Sequence, residues 1–248
     1  MTVPIIVAHR GLSALYPENT RLAIEQAVLA GARAVEFDVQ FTADLVPVLF
    51  HDPTLERLLG HQGRIMETPW KQLRKYITTF DHGSFQPHAG LPITSLAEIT
   101  DYYQKLPRVM PCIEIKTESI EYFGLHKCLN VILKVVEPLI DHALFLSFNR
   151  EVIRWLHNHG IDRTGWVLYD YCDQARTIAE ALQPQVLICD QTKLPATAGE
   201  LWPGPWDWMA YHTEDPGLIR QLLRRGIRYV ETDNILAVAS AMPEMFTS

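Results

Sequence analysis

Eight short apolar runs punctuate the chain, at 5–8, 34–37, 112–115, 143–147, 165–168, 186–189, 208–211 and 228–230, and the gaps between them are too long for hairpin turns. Those gaps read as helices. Between the first two runs, Ala23, Ala27 and Ala30, with Ile24 and Val28 beside them, share one helical face over 20–30, opened by Asn19 and Thr20 as cap and closed by Gly31. Ser95-Leu96-Ala97-Glu98 is a capping box, in which the serine oxygen and the glutamate each satisfy an orphan amide; it opens a helix toward Lys105. Further helical patterns cover 123–136, 151–158, 173–182 and 217–225, the last closed by Gly226. Strand alternating with helix predicts a parallel sheet covered on both faces. Eight repeats in 248 residues predict its closure into a (β/α)8 TIM barrel, an α/β fold with one domain over 1–248.

One stretch breaks the alternation. After Val39, residues 40–52 form two extended runs about a short turn, with no room for a helix. A hairpin there leaves the end of the second strand and returns, carrying His51 and Asp52 toward Glu36 and Asp38. Residues 53–95 then form a small insertion rich in Gly, Pro and His, expected to lie over one end of the barrel and too polar to be core.

Composition limits the partners. The formal charge of −7 argues against a broad basic face for nucleic acid or an anionic membrane. Cys112, Cys128, Cys172 and Cys189 are widely spaced, without a Cys-x-x-Cys pair, and read as reduced core thiols. The first nine residues lack a basic segment and a long apolar stretch, and no later run approaches the ~18 apolar residues of a membrane span. A cytoplasmic location without stable membrane insertion is the expectation.

In such a barrel the active site forms at the C-terminal ends of the strands. The first strand ends in His9-Arg10-Gly11; the second carries Glu36 and Asp38, two apart and so on one face; the third carries Glu114 and Lys116, again two apart. Three carboxylates meeting at one spot repel each other unless a cation holds them. All-oxygen ligation calls for a hard divalent ion, Mg2+ or Ca2+. Arg10 and Lys116 beside it would leave a positive pocket for a phosphate, with Arg able to bond two oxygens. His9 and His51, with an ordinary pKa near ~6.5, can divide base and acid duties at neutral pH.

Seven motifs extend this reading: His9-Arg10-Gly11, Pro17-Glu18-Asn19-Thr20, Glu36-Phe37-Asp38, Phe50-His51-Asp52, Leu55-Glu56-Arg57, Glu114-Ile115-Lys116 and Ser147-Phe148. Their order and approximate spacing resemble the glycerophosphodiester phosphodiesterase family, in particular its cytosolic bacterial branch. The resemblance runs over roughly 5–233 and is dense up to Phe148. It implies a metal held by Glu36, Asp38 and Glu114, His9 and His51 as general acid and base, and Arg10 and Lys116 on the phosphate. It also implies the reaction: a glycerol hydroxyl attacks phosphorus and expels the alcohol, and water opens the cyclic phosphate to glycerol 3-phosphate. Asp81-His82-Gly83-Ser84-Phe85 resembles a stretch of the family's insertion.

The chain departs from the family pattern twice. Ala43-Asp44-Leu45 replaces a Lys-Asp-Gly turn, so the hairpin must turn without glycine. Tyr211-His212-Thr213-Glu214 replaces Trp-Thr-Val-Asn at a strand end facing the substrate, which bears on headgroup preference. The blander readings are that the acids pair with Arg10 and Lys116 without a metal, that Glu18-Asn19 braces the first loop, and that Trp202, Trp206 and Trp208 pack a loop. The expected partner is a small-molecule glycerophosphodiester. The alternative functions are a lysophospholipase D-like activity and a non-catalytic phosphate-ligand-binding barrel.

Overall fold

Side chains alternate along each extended run, so every strand has one face for the barrel interior and one for the helices around it. The structure, a computed structural model, describes residues 4–79, 90–195 and 201–246. In chain order its elements are β1 (Ile5–Ala8), α1 (Arg21–Leu29), β2 (Ala34–Phe41), β3 (Pro47–Leu49), α2 (Glu56–Leu59), α3 (Trp70–Leu73), α4 (Leu96–Tyr103), β4 (Met110–Ile115), α5 (Thr117–Phe123), α6 (Leu125–Val135), β5 (Leu144–Ser147), α7 (Arg150–Asn158), β6 (Thr164–Val167), α8 (Asp173–Leu182), β7 (Val186–Asp190), β8 (Asp207–Tyr211), α9 (Pro216–Arg224), β9 (Ile227–Thr232) and α10 (Ile235–Ala241). Strands β1, β2 and β4 to β9 pair in parallel in that order, and β9 returns to β1, closing the predicted TIM barrel.

Two apolar layers result. Val7, Ala34, Cys112, Leu144, Val167, Val186 and Met209 pack together inside the barrel. Phe37, Ile113, Phe145, Leu187 and Val230 face outward onto the helices. Gly165 lets the interior close at β6, because an added Cβ would lie 2.6 Å from Leu146 Cδ2 and 2.9 Å from Ile188 Cδ1. Among the described residues no helix is long and apolar enough to cross a membrane.

The hairpin exists as β2 and β3, antiparallel, with Val39 opposite Leu49 and Phe41 opposite Pro47. Its glycine-free turn places Leu45 in the left-handed region, at φ 60°. Asp44 holds the turn, its Oδ1 accepting from Thr42 Oγ1 at 2.7 Å and from the Trp70 amide at 2.8 Å.

Four details differ from the sequence expectations. Cys112, Cys128 and Cys189 are buried, but Cys172, just before α8, is exposed rather than part of the core. The helix expected over 123–136 is two helices, α5 and α6, parted at Gly124 with φ 92°. The insertion is not merely polar: Leu55, Leu58, Leu59, Ile65, Met66 and Leu73 form a small core with Val48 and Phe50 of the hairpin. Thr20, not Asn19, caps α1, its side chain accepting from the Ala23 amide. The stretch Asp81-His82-Gly83-Ser84-Phe85 lies outside the described residues.

The loop after β1 passes tightly over α1. Gly11 has φ 85°, and a Cβ there would sit 2.5 Å from the Ala23 carbonyl carbon, so both backbone conformation and space demand glycine. Gly11→Ala is expected to cost about 1–3 kcal/mol or more of stability, read from the urea midpoint. A variant as stable as the parent would show that this loop relaxes freely.

Candidate active site

Strand β2 delivers Glu36 and Asp38 to the barrel mouth, and β4 delivers Glu114 beside them, with Asp38 and Glu114 paired across the sheet. Carboxylate oxygens of these three residues all lie within 4.8 Å of one another. Two cations offset them. Lys116 Nζ donates to Glu114 Oε1 at 2.7 Å and lies 3.3 Å from Asp38 Oδ1. Arg10 Nε is 3.0 Å from Asp38 Oδ2 as an ion pair. Asn19 braces the same acid, donating from Nδ2 to Asp38 Oδ2 at 2.8 Å and accepting the Asp38 amide at 3.0 Å.

This pairing is incomplete. Glu36 accepts the Arg10 amide on Oε2 at 3.1 Å, while its buried Oε1 has no hydrogen-bond partner among the described residues. Burial first, then Asp38, Glu231 and Glu114, pushes the Glu36 carboxyl well above the usual carboxylate range. Burial would raise Asp38 too, yet Arg10 and Lys116 hold it well below that range. An unsatisfied carboxylate oxygen at the centre of three acids is what an oxygen-seeking divalent ion would occupy. The residues present therefore fit such an ion.

Both imidazoles sit in this mouth, each backed by an aspartate. His9 Nδ1 and Asp233 Oδ1 are 2.6 Å apart, as are His51 Nδ1 and Asp52 Oδ1. A carboxylate can only accept, so Nδ1 carries the proton in each ring and Nε2 is left as the free nitrogen. Burial foremost lowers the His9 pKa, Arg10 adding to this and the Asp233 bond opposing it. Burial would raise the Asp233 carboxyl, but its bond to His9 brings it down to about 2.

Arg57 ties the second pair to the first loop. Its Nε donates to Asp52 Oδ2 at 2.6 Å, and Nη1 and Nη2 grip Glu18 at 2.8 and 2.7 Å. Glu18 Oε1 in turn accepts from Arg10 Nη1 at 3.1 Å. Glu18-Asn19 thus braces Arg10 and Asp38, as the structural reading expects.

A cavity of about 170 Å3 is lined by His9, Arg10, His51, Glu114 and Lys116 together with Leu146, Phe148, Val167, Ile188, Tyr211, His212 and Glu231. All seven sequence candidates converge here: five line the cavity, and Glu36 and Asp38 adjoin it through Glu114. Trp202 and Trp208 instead pack with Tyr171. His212 lies against His9, with ring centroids 5.2 Å apart and planes 15° from parallel, and its Nε2 is 3.5 Å from Asp233 Oδ2. The altered stretch after β8 therefore reaches His9 as well as the cavity wall. His9, His212 and Asp233 also bring ligand atoms within 4.8 Å of one another. Nearly parallel rings do not aim their nitrogens at one point, however, and the contact is a stack.

Sequence reasoning missed Asp233, Glu231 and the role of Arg57. The signal was present at the last barrel strand, where Glu231 and Asp233 stand two apart just as Glu36 and Asp38 do.

A sequence model of the glycerophosphoryl diester phosphodiesterase family matches residues 9–136, over half of the chain. The chain belongs to that family. Among curated relatives, glycerophosphodiester phosphodiesterase 1 of Bos taurus is 46% identical over 76 residues, which is 31% of this chain and 23% of that protein. The glycerophosphodiester phosphodiesterase of Bacillus altitudinis is 29% identical over 157 residues, 61% of each chain. The chain thus matches less than two thirds of the length of either relative.

Solved structures of the family share the barrel. A phosphodiesterase of Oleispira antarctica, solved in complex with the product sn-glycerol-3-phosphate, superposes with a TM-score of 0.81 at 23% identity, covering 97% of each chain. The glycerophosphodiester phosphodiesterase of Thermotoga maritima gives 0.75 at 23% identity, covering 97% of this chain and 99% of that one. At these identities the likeness is one of fold.

The unsatisfied Glu36 oxygen leads to a stability test. Mg2+ or Ca2+ at a hundred times its Kd is expected to stabilise the protein by about 2.7 kcal/mol, and Glu36→Gln to lose most of that gain. In chelator the variant should be at least as stable as the parent, since it removes a buried carboxyl with too few partners. Equal ion-induced shifts of the thermal midpoint in both proteins would remove Glu36 from the ion's shell.

Proposed function

We propose that this chain is a divalent-metal-dependent phosphodiesterase that hydrolyses glycerophosphodiesters to glycerol 3-phosphate and an alcohol. The observation that carries the reading is a cavity lined by Glu114, two cations and two aspartate-backed imidazoles, with Glu36 and Asp38 clustered on Glu114. Family membership supports it, as does the glycerol 3-phosphate held by the Oleispira relative.

Glu36, Asp38 and Glu114 would hold the ion, their hard oxygen donors suiting Mg2+ or Ca2+. When bound, the ion withdraws charge from the phosphoryl oxygens. Arg10 and Lys116 hold the phosphodiester; the Arg10 Nε, buried and without an aligned hydrogen bond among the described residues, has a donor to give. One histidine takes the proton of the glycerol hydroxyl beside the phosphate through its free Nε2, and oxygen attacks phosphorus. The other protonates the departing alcohol oxygen. The roles then reverse: water loses a proton, opens the cyclic phosphate, and the ring oxygen takes a proton as it leaves.

Asp233 and Asp52 keep each Nε2 turned to the cavity and offset the charge its ring gains on protonation. Arg57 fixes Asp52, so both sides of the cavity share one scaffold.

Release of glycerol 3-phosphate from glycerophosphocholine is expected with Mg2+ or Ca2+ and to vanish in chelator. His9→Ala and His51→Ala are each expected to lower kcat about 10²- to 10⁴-fold, and Asp233→Asn and Asp52→Asn about 10- to 100-fold. Full turnover after thorough metal removal, or in His9→Ala, would overturn the mechanism. Faster turnover of a lysophospholipid would favour the lysophospholipase D-like reading. Tight binding of glycerol 3-phosphate without turnover would favour a binding barrel.

A further inference from the structure

Glu231 has no part in the proposed chemistry, yet it occupies a costly position. It lies on β9, is 5% exposed, and lines the cavity. Among the described residues its carboxyl makes no hydrogen bond or ion pair. Arg10 and Lys116 line the same cavity but pair with other acids, Arg10 with Asp38 and Glu18 and Lys116 with Glu114 and Asp38, and neither forms an ion pair with Glu231. Ionising a carboxyl buried without a partner is unfavourable unless something cationic arrives to meet the charge.

The surrounding wall says what that something would be. Leu146, Phe148, Val167, Ile188 and Tyr211 line the same cavity as Glu231, Tyr211 from the neighbouring strand β8 and Leu146 and Phe148 from β5 and its end, across the barrel. Leucine, valine, isoleucine and phenylalanine side chains have no group for the several hydroxyls of a polyol. They do suit the methyl or methylene groups around an ammonium, and the faces of Phe148 and Tyr211 attract a cation. Arg10 and Lys116 line the same small cavity, so a phosphate they hold would lie a few bonds from such a cation.

We propose that Glu231, with Phe148 and Tyr211, forms a subsite for the ammonium or quaternary ammonium headgroup of a zwitterionic glycerophosphodiester. It rests on the phosphodiesterase reading for the phosphodiester but not for the cation. A neutral or anionic headgroup leaves Glu231 without a counter-charge, so the subsite selects among diesters that share one glycerol phosphate half.

The test compares glycerophosphocholine with the uncharged-headgroup diester glycerophosphoglycerol, reading glycerol 3-phosphate, in the parent and in Glu231→Gln. The parent is expected to prefer the choline ester by about tenfold or more in kcat/KM, and the variant to lose most of that preference. A calorimetric titration of the parent with choline alone should give saturable binding, weakened in the variant and absent with glycerol as probe. A parent with no preference, or a variant in which both esters fall by the same factor while the parent shows no choline binding, overturns the subsite and assigns Glu231 to the glycerol half or to the fold. If the parent cleaves neither ester, the phosphodiesterase reading fails by itself. The choline titration then decides the subsite: saturable heat supports it and its absence overturns it.

Discussion

Glu36, Asp38, Glu114 and Glu231 crowd into the interior of one barrel mouth, against Arg10 and Lys116. Burying so many like charges costs several kcal/mol per ion even after relaxation. The imbalance shows in the carboxyls themselves: burial and then Glu114 push Glu231 up to about 8, while the cations hold Asp38 far down. A barrel built for stability alone would fill these inward positions with apolar residues, as it does one layer deeper at Val7, Cys112 and Leu144. The departure from that pattern marks the functional end of the barrel.

Different parts of the charge network contribute differently. Arg57 is half exposed, and its bonds to Glu18 and Asp52 add about 0–1 kcal/mol of stability each at most. Their weight is geometric: the guanidinium fork fixes Asp52, which turns His51, and Glu18, which holds Arg10. Lys116 and Asp38 are buried, and removing either strands a charge in a low-dielectric site. Exposed pairs at this site therefore act on orientation, and buried pairs on both orientation and folding.

The barrel was legible because its cause is local: apolar runs at helix-crossover spacing allow few alternatives. Glu36, Asp38, Glu114 and Lys116 were legible for a related reason, since residues two apart at a strand end share a face whatever the tertiary context. Arg57 was not, because its partner Glu18 lies 39 residues away and a spacing that long carries no geometric information. Asp233 and Glu231 obey the same two-residue rule but follow an apolar run that stops at Val230, one residue short of Glu231. The backbone pairing of β9 with β1 nevertheless continues through Glu231 to Thr232, so the polar residues belong to the strand. The insertion's core escaped notice because its apolar residues are spread among Gly and Pro and show no period.

The two imidazoles are supported from opposite distances, and this orders the assembly of the site. His51 is turned by its own neighbour Asp52 and needs only the hairpin. His9 is turned by Asp233, 224 residues along the chain, and its amide donates to the Thr232 carbonyl at 2.9 Å. That contact exists only when β9 pairs with β1, which is also the step that closes the barrel. His212, stacked on the His9 ring from the end of β8, belongs to the same last quarter of the fold. An open or partly formed barrel can gather the carboxylates of β2 and β4, but it holds no oriented His9. The orientation of His9 and the closure of the barrel thus depend on the same pairing.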